Sequence, residues 1–144
     1  MQKENTQVEM NKRQAIQFVV IDDDAVNNLI ASEFIKATVP GANIETFVIP
    51  EKGVDFLIDH CSEEEPGKLV LFLDINMHGL SGWDVLDEID KCNTAKKEKI
   101  KTFMLSSSVD LQDQRRVKEH HLVSGYITKF LSPEKIRAIL PLIN

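Results

Sequence analysis

The hydrophobic positions of this chain fall into two alternating patterns. One is the short unbroken apolar run, which marks a strand buried on both faces. The other is apolar spacing at three and four residues, which marks the inner face of a helix. Residues 16–21 (Ile-Gln-Phe-Val-Val-Ile) form the first run and stop at Asp22-Asp23-Asp24. Helical spacing follows over residues 25–38 through Val26, Leu29, Ile30, Phe34 and Ala37. Asp24 is placed as its N-cap, and Pro40-Gly41 closes the unit. Residues 43–48 read as a second strand. Residues 51–60 read as a second helix, buried through Val54, Leu57 and Ile58, with Pro50 near its first turn. The charged turn over residues 62–68, with Glu63-Glu64-Glu65, is expected to be solvated. Residues 69–73 (Leu-Val-Leu-Phe-Leu) are a third buried strand, ending on Asp74. A loop with Gly79 and Gly82 leads into a helix over about residues 83–92, with Trp83 packing at its start. Residues 93–99 read as a polar connection, and residues 101–105 as a fourth strand ending in Ser106-Ser107-Ser108. A more polar helix spans residues 111–121. A short fifth strand centres on Tyr126-Ile127-Thr128 and ends on Lys129. Ser132-Pro133 opens the last helix, with Ser132 as N-cap.

Five strands alternating with five helices predict an α/β fold: a parallel sheet covered by helices on both faces. Residues 1–14 are polar and aperiodic and read as a disordered tail, leaving residues 15–144 as the folded domain. In such sheets ligands bind at the carboxyl ends of the strands, beside the point where strand order reverses. The first strand presents Asp22 and Asp23 there, the third Asp74, the fourth Ser106 with Ser107 next to it, and the fifth Lys129. In the order 2-1-3-4-5, strands one and three are neighbours and the three carboxylates converge. Like charges that close raise one another's pKa. A hard divalent cation relieves the repulsion, and Mg²⁺ suits it, because it takes one or two carboxylates and pairs with phosphate oxygens. A backbone carbonyl after Asp74 can add a ligand. A carboxylate beside Mg²⁺ is also a nucleophile able to form an acyl phosphate. The metal and a lysine neutralise the phosphoryl oxygens, and a serine hydroxyl donates to them.

Charge and composition narrow the function. The chain has 144 residues, with 17 basic and 23 acidic side chains and a net charge of −6. That is the balance of one soluble domain. An acidic total argues against a nucleic-acid or anionic-membrane binder. No stretch approaches the ~20 apolar residues of a membrane span, and no signal peptide follows Met1, so a cytoplasmic location is expected. Cys61 and Cys92 form no CxxC pair and read as reduced thiols. His60, His120 and His121 read as surface residues. Two adjacent histidines on a helix cannot share one ligand-facing side.

Four stretches, in order and at the right strand ends, resemble the receiver domain of bacterial two-component response regulators. They are Phe18-Val-Val-Ile-Asp-Asp-Asp24, Leu71-Phe-Leu-Asp-Ile-Asn-Met77 with Gly82, Met104-Leu-Ser106, and Gly125-Tyr-Ile-Thr-Lys129. The resemblance covers residues 17–143 and implies a flavodoxin-like fold. It implies Asp74 as phosphoacceptor and Asp22 and Asp23 as the Mg²⁺-binding pair, Asp23 being the direct ligand. Asn76 offers its backbone carbonyl to the metal, Ser106, favoured over the alternative Ser107, bonds the phosphoryl group, and Lys129 pairs with the acceptor and then with phosphate. Tyr126 matches the aromatic switch that moves with Ser106. The implied donor is a phosphohistidine on a sensor histidine kinase or histidine phosphotransfer protein. The implied output is a changed surface around the fourth helix, fifth strand and last helix, in a monomer or a weak phosphorylation-linked dimer. Such a protein catalyses only its own phosphorylation and dephosphorylation. The absence of further chain after Asn144 suggests a single-domain regulator.

Two departures stand out. His78 and Phe130 occupy positions where the family usually has proline. A non-proline cis bond costs about 2.5–4 kcal/mol, so the loop after Lys129 is expected to be trans and differently shaped. His78 lies near the acceptor, where it can alter dephosphorylation. The missing prolines support an alternative, a phosphorylation-independent interaction module. A flavin carrier is disfavoured, because the first loop lacks a glycine-rich cradle and the acids repel phosphate. A true phosphatase lacks a second acid placed to activate water.

Overall fold

A computed structural model describes residues 16–92, 94–107 and 110–143. The tail over residues 1–14, and Ser108, lie outside the described residues. The elements run β1 (Gln17–Ile21), α1 (Ala25–Thr38), β2 (Asn43–Phe47), α2 (Pro50–Ser62), β3 (Leu69–Asp74), α3 (Gly82–Asp90), α4 (Thr94–Lys97), β4 (Ile100–Ser106), α5 (Leu111–Glu119), β5 (Val123–Thr128) and α6 (Pro133–Ile143). The strands form one parallel sheet in the order β2-β1-β3-β4-β5. This is the order read from the sequence.

The unbroken apolar runs are explained by a core on each face of the sheet. Val19, Ile21, Leu71 and Leu73 point one way, onto Val54 and Leu57 of α2, Val85, Leu86 and Ile89 of α3, and Val117 of α5. Phe18, Val20, Val70 and Phe72 point the other way, onto Ala31 and Ile35 of α1 and Ile136 and Ile139 of α6. Every residue of β3 is buried, while β2 at the sheet edge is half-buried or exposed. Phe72 sits centrally, with its ring centroid 6.4 Å from Phe18 and 6.0 Å from Phe103.

Three expectations shift. First, a short helix, α4, occupies the expected polar connection. Lys97 Nζ reaches back to Asp90 Oδ1 at 2.7 Å and to the Asp90 carbonyl at 3.1 Å. That charged tether at the end of α3 leaves no apolar period to read. Second, α1 is rotated from its apolar spacing. Its buried positions are Asn28, Ala31 and Ile35, while Val26, Leu29 and Ala37 are exposed. Asn28 turns inward because its side-chain amide donates to the carbonyls of Asp22 (2.9 Å) and Phe47 (3.2 Å). Third, α5 stops at Glu119. His120 takes extended backbone (φ −85°, ψ 119°), which lets the His120 and His121 rings stack at 5.1 Å, so they are not two positions on one helix. His120 also lies 6.1 Å from Trp83, whose indole is covered by the Arg116 guanidinium at 4.3 Å.

Candidate functional site

Strand register builds the site. Ile21 pairs with Leu73, so the next residues, Asp22 and Asp74, emerge side by side. Asp74 pairs with Leu105 and Ser106 with Thr128, which brings Ser106 and Lys129 to the same edge. The Lys129 amide donates to the Ser106 carbonyl at 2.8 Å, and the Ile75 amide to Leu105 at 3.0 Å. Asp22, Asp74 and Ser106 are all buried, Ser106 completely, whereas Ser107 is exposed.

Lys129 joins two of the acids. Its Nζ lies 2.7 Å from Asp22 Oδ2 and 3.2 Å from Asp74 Oδ2. Asp22, Asp23 and Asp74 each offer a carboxylate oxygen, and these oxygens lie within 4.8 Å of one another. A clustered set of hard oxygen donors fits a small divalent cation. The electrostatics are correspondingly uneven. Burial, and then the neighbouring charge of Asp22, push the Asp74 carboxyl up to about 6 against the pull of Lys129. Burial works against the Lys129 ammonium, yet its hydrogen bond to Asp22 and the charges of Asp74 and Asp22 raise its pKa above the usual value. Asp23, half-buried at the rim, is held below the usual carboxylate range, first by the hydrogen bond from the His78 amide.

Further hydrogen bonds hold the acids, and two of their donors, Asn27 and Asn28, were not singled out in the sequence. Asn27 Nδ2 donates to Asp22 Oδ2 at 3.3 Å, the Asp24 amide to Asp22 Oδ1 at 2.9 Å, and the Asn76 amide to Asp74 Oδ1 at 3.3 Å. Asn28 anchors the Asp22 carbonyl from below. The signal for both asparagines was a polar pair just after the acids, with Asn28 at a phase a buried apolar residue would normally hold. His78 contacts Asp23, not Asp74: its amide lies 2.9 Å and its ring Nδ1 2.8 Å from Asp23 Oδ2. Gly82 packs tightly below the acceptor. A Cβ there would meet the Asp74 carbonyl oxygen at 2.6 Å and Met104 Cε at 2.9 Å.

The loop after Lys129 corrects the trans expectation. The Lys129–Phe130 peptide is cis. The loop's shape follows its surroundings: Lys135 Nζ donates to the carbonyls of Thr128 and Phe130, bracketing Lys129, and Leu131 is buried. The lysine thus reaches the acids without the usual proline. Tyr126 is half-buried and packs against the core that faces α2, α3 and α5.

Comparison with known proteins agrees with this geometry. The family model for the response regulator receiver domain matches residues 18–141. A two-component response regulator from Cytophaga hutchinsonii superposes with a TM-score of 0.80 at 23% identity, covering 90% of this chain and 96% of that one. A response regulator receiver protein from Dyadobacter fermentans gives 0.79 at 20%, covering 90% and 98%. The Vibrio cholerae chemotaxis protein CheY4 gives 0.71 at 14%, covering 90% and 99%, which shows the shared fold. No curated protein matches the chain. With four strand ends delivering acids, hydroxyl and ammonium to one edge of a β2-β1-β3-β4-β5 sheet, the chain belongs to the response regulator receiver domain family.

Proposed function

We propose that this receiver domain is a phosphorylation-driven switch in a phosphorelay, with Asp74 as the residue that accepts the phosphoryl group. The observation that carries the reading is the buried Asp74 carboxylate, flanked by Asp22 and Asp23 and bridged to Lys129. An Asp74 carboxylate oxygen attacks the phosphorus of a phosphohistidine, and the bond from phosphorus to the donor nitrogen breaks. Lys129 then turns from Asp74 to a phosphoryl oxygen, which keeps its positive charge against the negative charge that has moved. The Ser106 hydroxyl, buried at the end of β4, donates to a second phosphoryl oxygen. Asp22, Asp23, Asp74 and the Asn76 carbonyl would hold Mg²⁺, which supplies charge neutralisation of the phosphoryl oxygens when bound. Ser107 points to solvent and is not needed.

The partner is a sensor histidine kinase or histidine phosphotransfer protein. Val26 and Leu29 on the first turns of α1 and Phe130 after β5 are exposed apolar side chains. Asp22, Asn27, Lys129 and Phe130 line a single crevice between α1 and the loop after β5. A donor docking there places its phosphohistidine over Asp74. The output face comprises α5, β5 and α6, where Gln114, Val117, Lys118 and Tyr126 line a groove.

Incubation with acetyl phosphate and Mg²⁺ tests the chemistry by intact mass. The wild type is expected to gain one phosphoryl group and Asp74→Asn none. Leu29→Asp is expected to react normally with acetyl phosphate and slowly with a phosphorylated protein donor. No adduct on the wild type, together with no Mg²⁺ binding, would instead favour a phosphorylation-independent interaction module.

A further inference from the structure

The two cysteines are distant in sequence and adjacent in space. Cys61 lies in the last turn of α2, and Cys92 just beyond the end of α3. Cys61 is buried, while Cys92 is half-buried against the same core. A cavity of about 280 Å³ opens beside them, lined by Ile58, Cys61, Ser62, Glu88, Lys91 and Cys92. The chemistry of the pair is unequal. Burial pushes the Cys61 thiol up to about 12, and the neighbouring Cys92 side chain acts in the same direction. Cys61 therefore keeps its proton, and Cys92 is the more exposed residue of the two. The thiolate form is the nucleophile in disulfide exchange.

We propose that Cys61 and Cys92 are a reactive thiol pair that a low-molecular-weight disulfide of the glutathione class converts into an intramolecular disulfide. The Cys92 thiolate attacks one sulfur of the reagent and its S–S bond breaks. One thiolate departs, takes a proton from water, and leaves a mixed disulfide on Cys92. The Cys61 sulfur then attacks Cys92 Sγ, the mixed disulfide breaks, and the Cys61 proton passes to the second departing thiolate. In sum the two cysteines lose two electrons and two protons, and the reagent disulfide is reduced to two thiols. A disulfide needs its sulfurs at about 2.05 Å, so the side chains must close further. Cys92 has room to do so, beside the cavity and outside the regular turns of α3. The bond would tie together the ends of α2 and α3 remote from the acids, because helices that follow parallel strands begin at the site edge and run away from it.

The test is independent of phosphoryl transfer. Reduced, folded wild type is incubated with oxidised glutathione, quenched in acid, alkylated and mapped by mass spectrometry. The expected product lacks both free thiols, carries no glutathione, is lighter by two hydrogen atoms, and melts at a higher temperature than the reduced protein. Cys61→Ser is expected to accumulate glutathione on Cys92, and Cys92→Ser to leave Cys61 unmodified over the same period. Wild type that retains both thiols, or that ends with stable glutathione on either cysteine, overturns the proposal whatever the variants do.

Discussion

Asp74 is pulled in opposite directions by its surroundings. Burial and Asp22 favour the protonated form, Lys129 the carboxylate, and the carboxyl settles at about 6 against an ordinary 3.8. The native state therefore holds its proton across roughly pH 4–6 while the unfolded chain has released it. Stability falls as pH rises through that window, and the penalty is fully present above it. In metal-free buffer Asp74→Asn is expected to stabilise the protein by about 1–3 kcal/mol at pH 8. The gain should disappear near pH 3.5, as denaturant melts at the two pH values would show. An equal gain at both would mean that the ionised carboxyl is not the cause. Gly82 makes the complementary point about packing. A methyl group there must displace the Asp74 carbonyl or Met104, so Gly82→Ala is expected to cost about 1–3 kcal/mol. It should also slow acetyl-phosphate labelling. Normal labelling in a folded Gly82→Ala would show that the acceptor does not depend on this close contact.

At the scale of elements, the lysine-bearing loop shows what lies beyond a linear reading. Phe130 in place of proline suggested a differently shaped turn, but Lys135, in the first turn of α6, grips the carbonyls on both sides of Lys129. Lys135→Met is expected to lose about 1–2 kcal/mol, the scale of hydrogen bonds to a charged donor. It should slow labelling of Asp74 several-fold while leaving the Mg²⁺ affinity nearly unchanged, because Lys135 touches none of the acids. An unaltered labelling rate would show that α6 does not position the lysine. Contacts of this kind explain which features were legible. The central strands β1, β3 and β4 were readable because burial on both faces leaves apolar runs, and the strand ends carried Asp22, Asp23, Asp74, Ser106 and Lys129 in plain view. The inward turn of Asn28, the pairing of His78 with Asp23 and the tether from Lys97 to Asp90 were not readable. Each joins residues through isolated polar contacts, which leave no period in the sequence.

For the whole molecule, the sheet concentrates charge that the fold must tolerate. The chain carries a net −6, and three acids against one lysine at the site leave two local negative charges unmatched. Their oxygens stay within 4.8 Å because β1 and β3 are locked in register by a dry core on either face. The cost of that closeness should return as affinity for a cation that binds only the folded chain. Mg²⁺ at ten times its dissociation constant is expected to add about 1.4 kcal/mol of stability, a rise of a few degrees in melting temperature for a domain of this size. The response should saturate, whereas general screening by NaCl at matched ionic strength should not reproduce it. Asp23→Asn tests the assignment, since this half-buried rim carboxylate can lose its charge without opening a void. The variant is expected to fold normally and to lose most of the Mg²⁺-dependent shift. A shift of equal size with NaCl, or one that survives Asp23→Asn, would mean that the acids are not acting together on a bound ion.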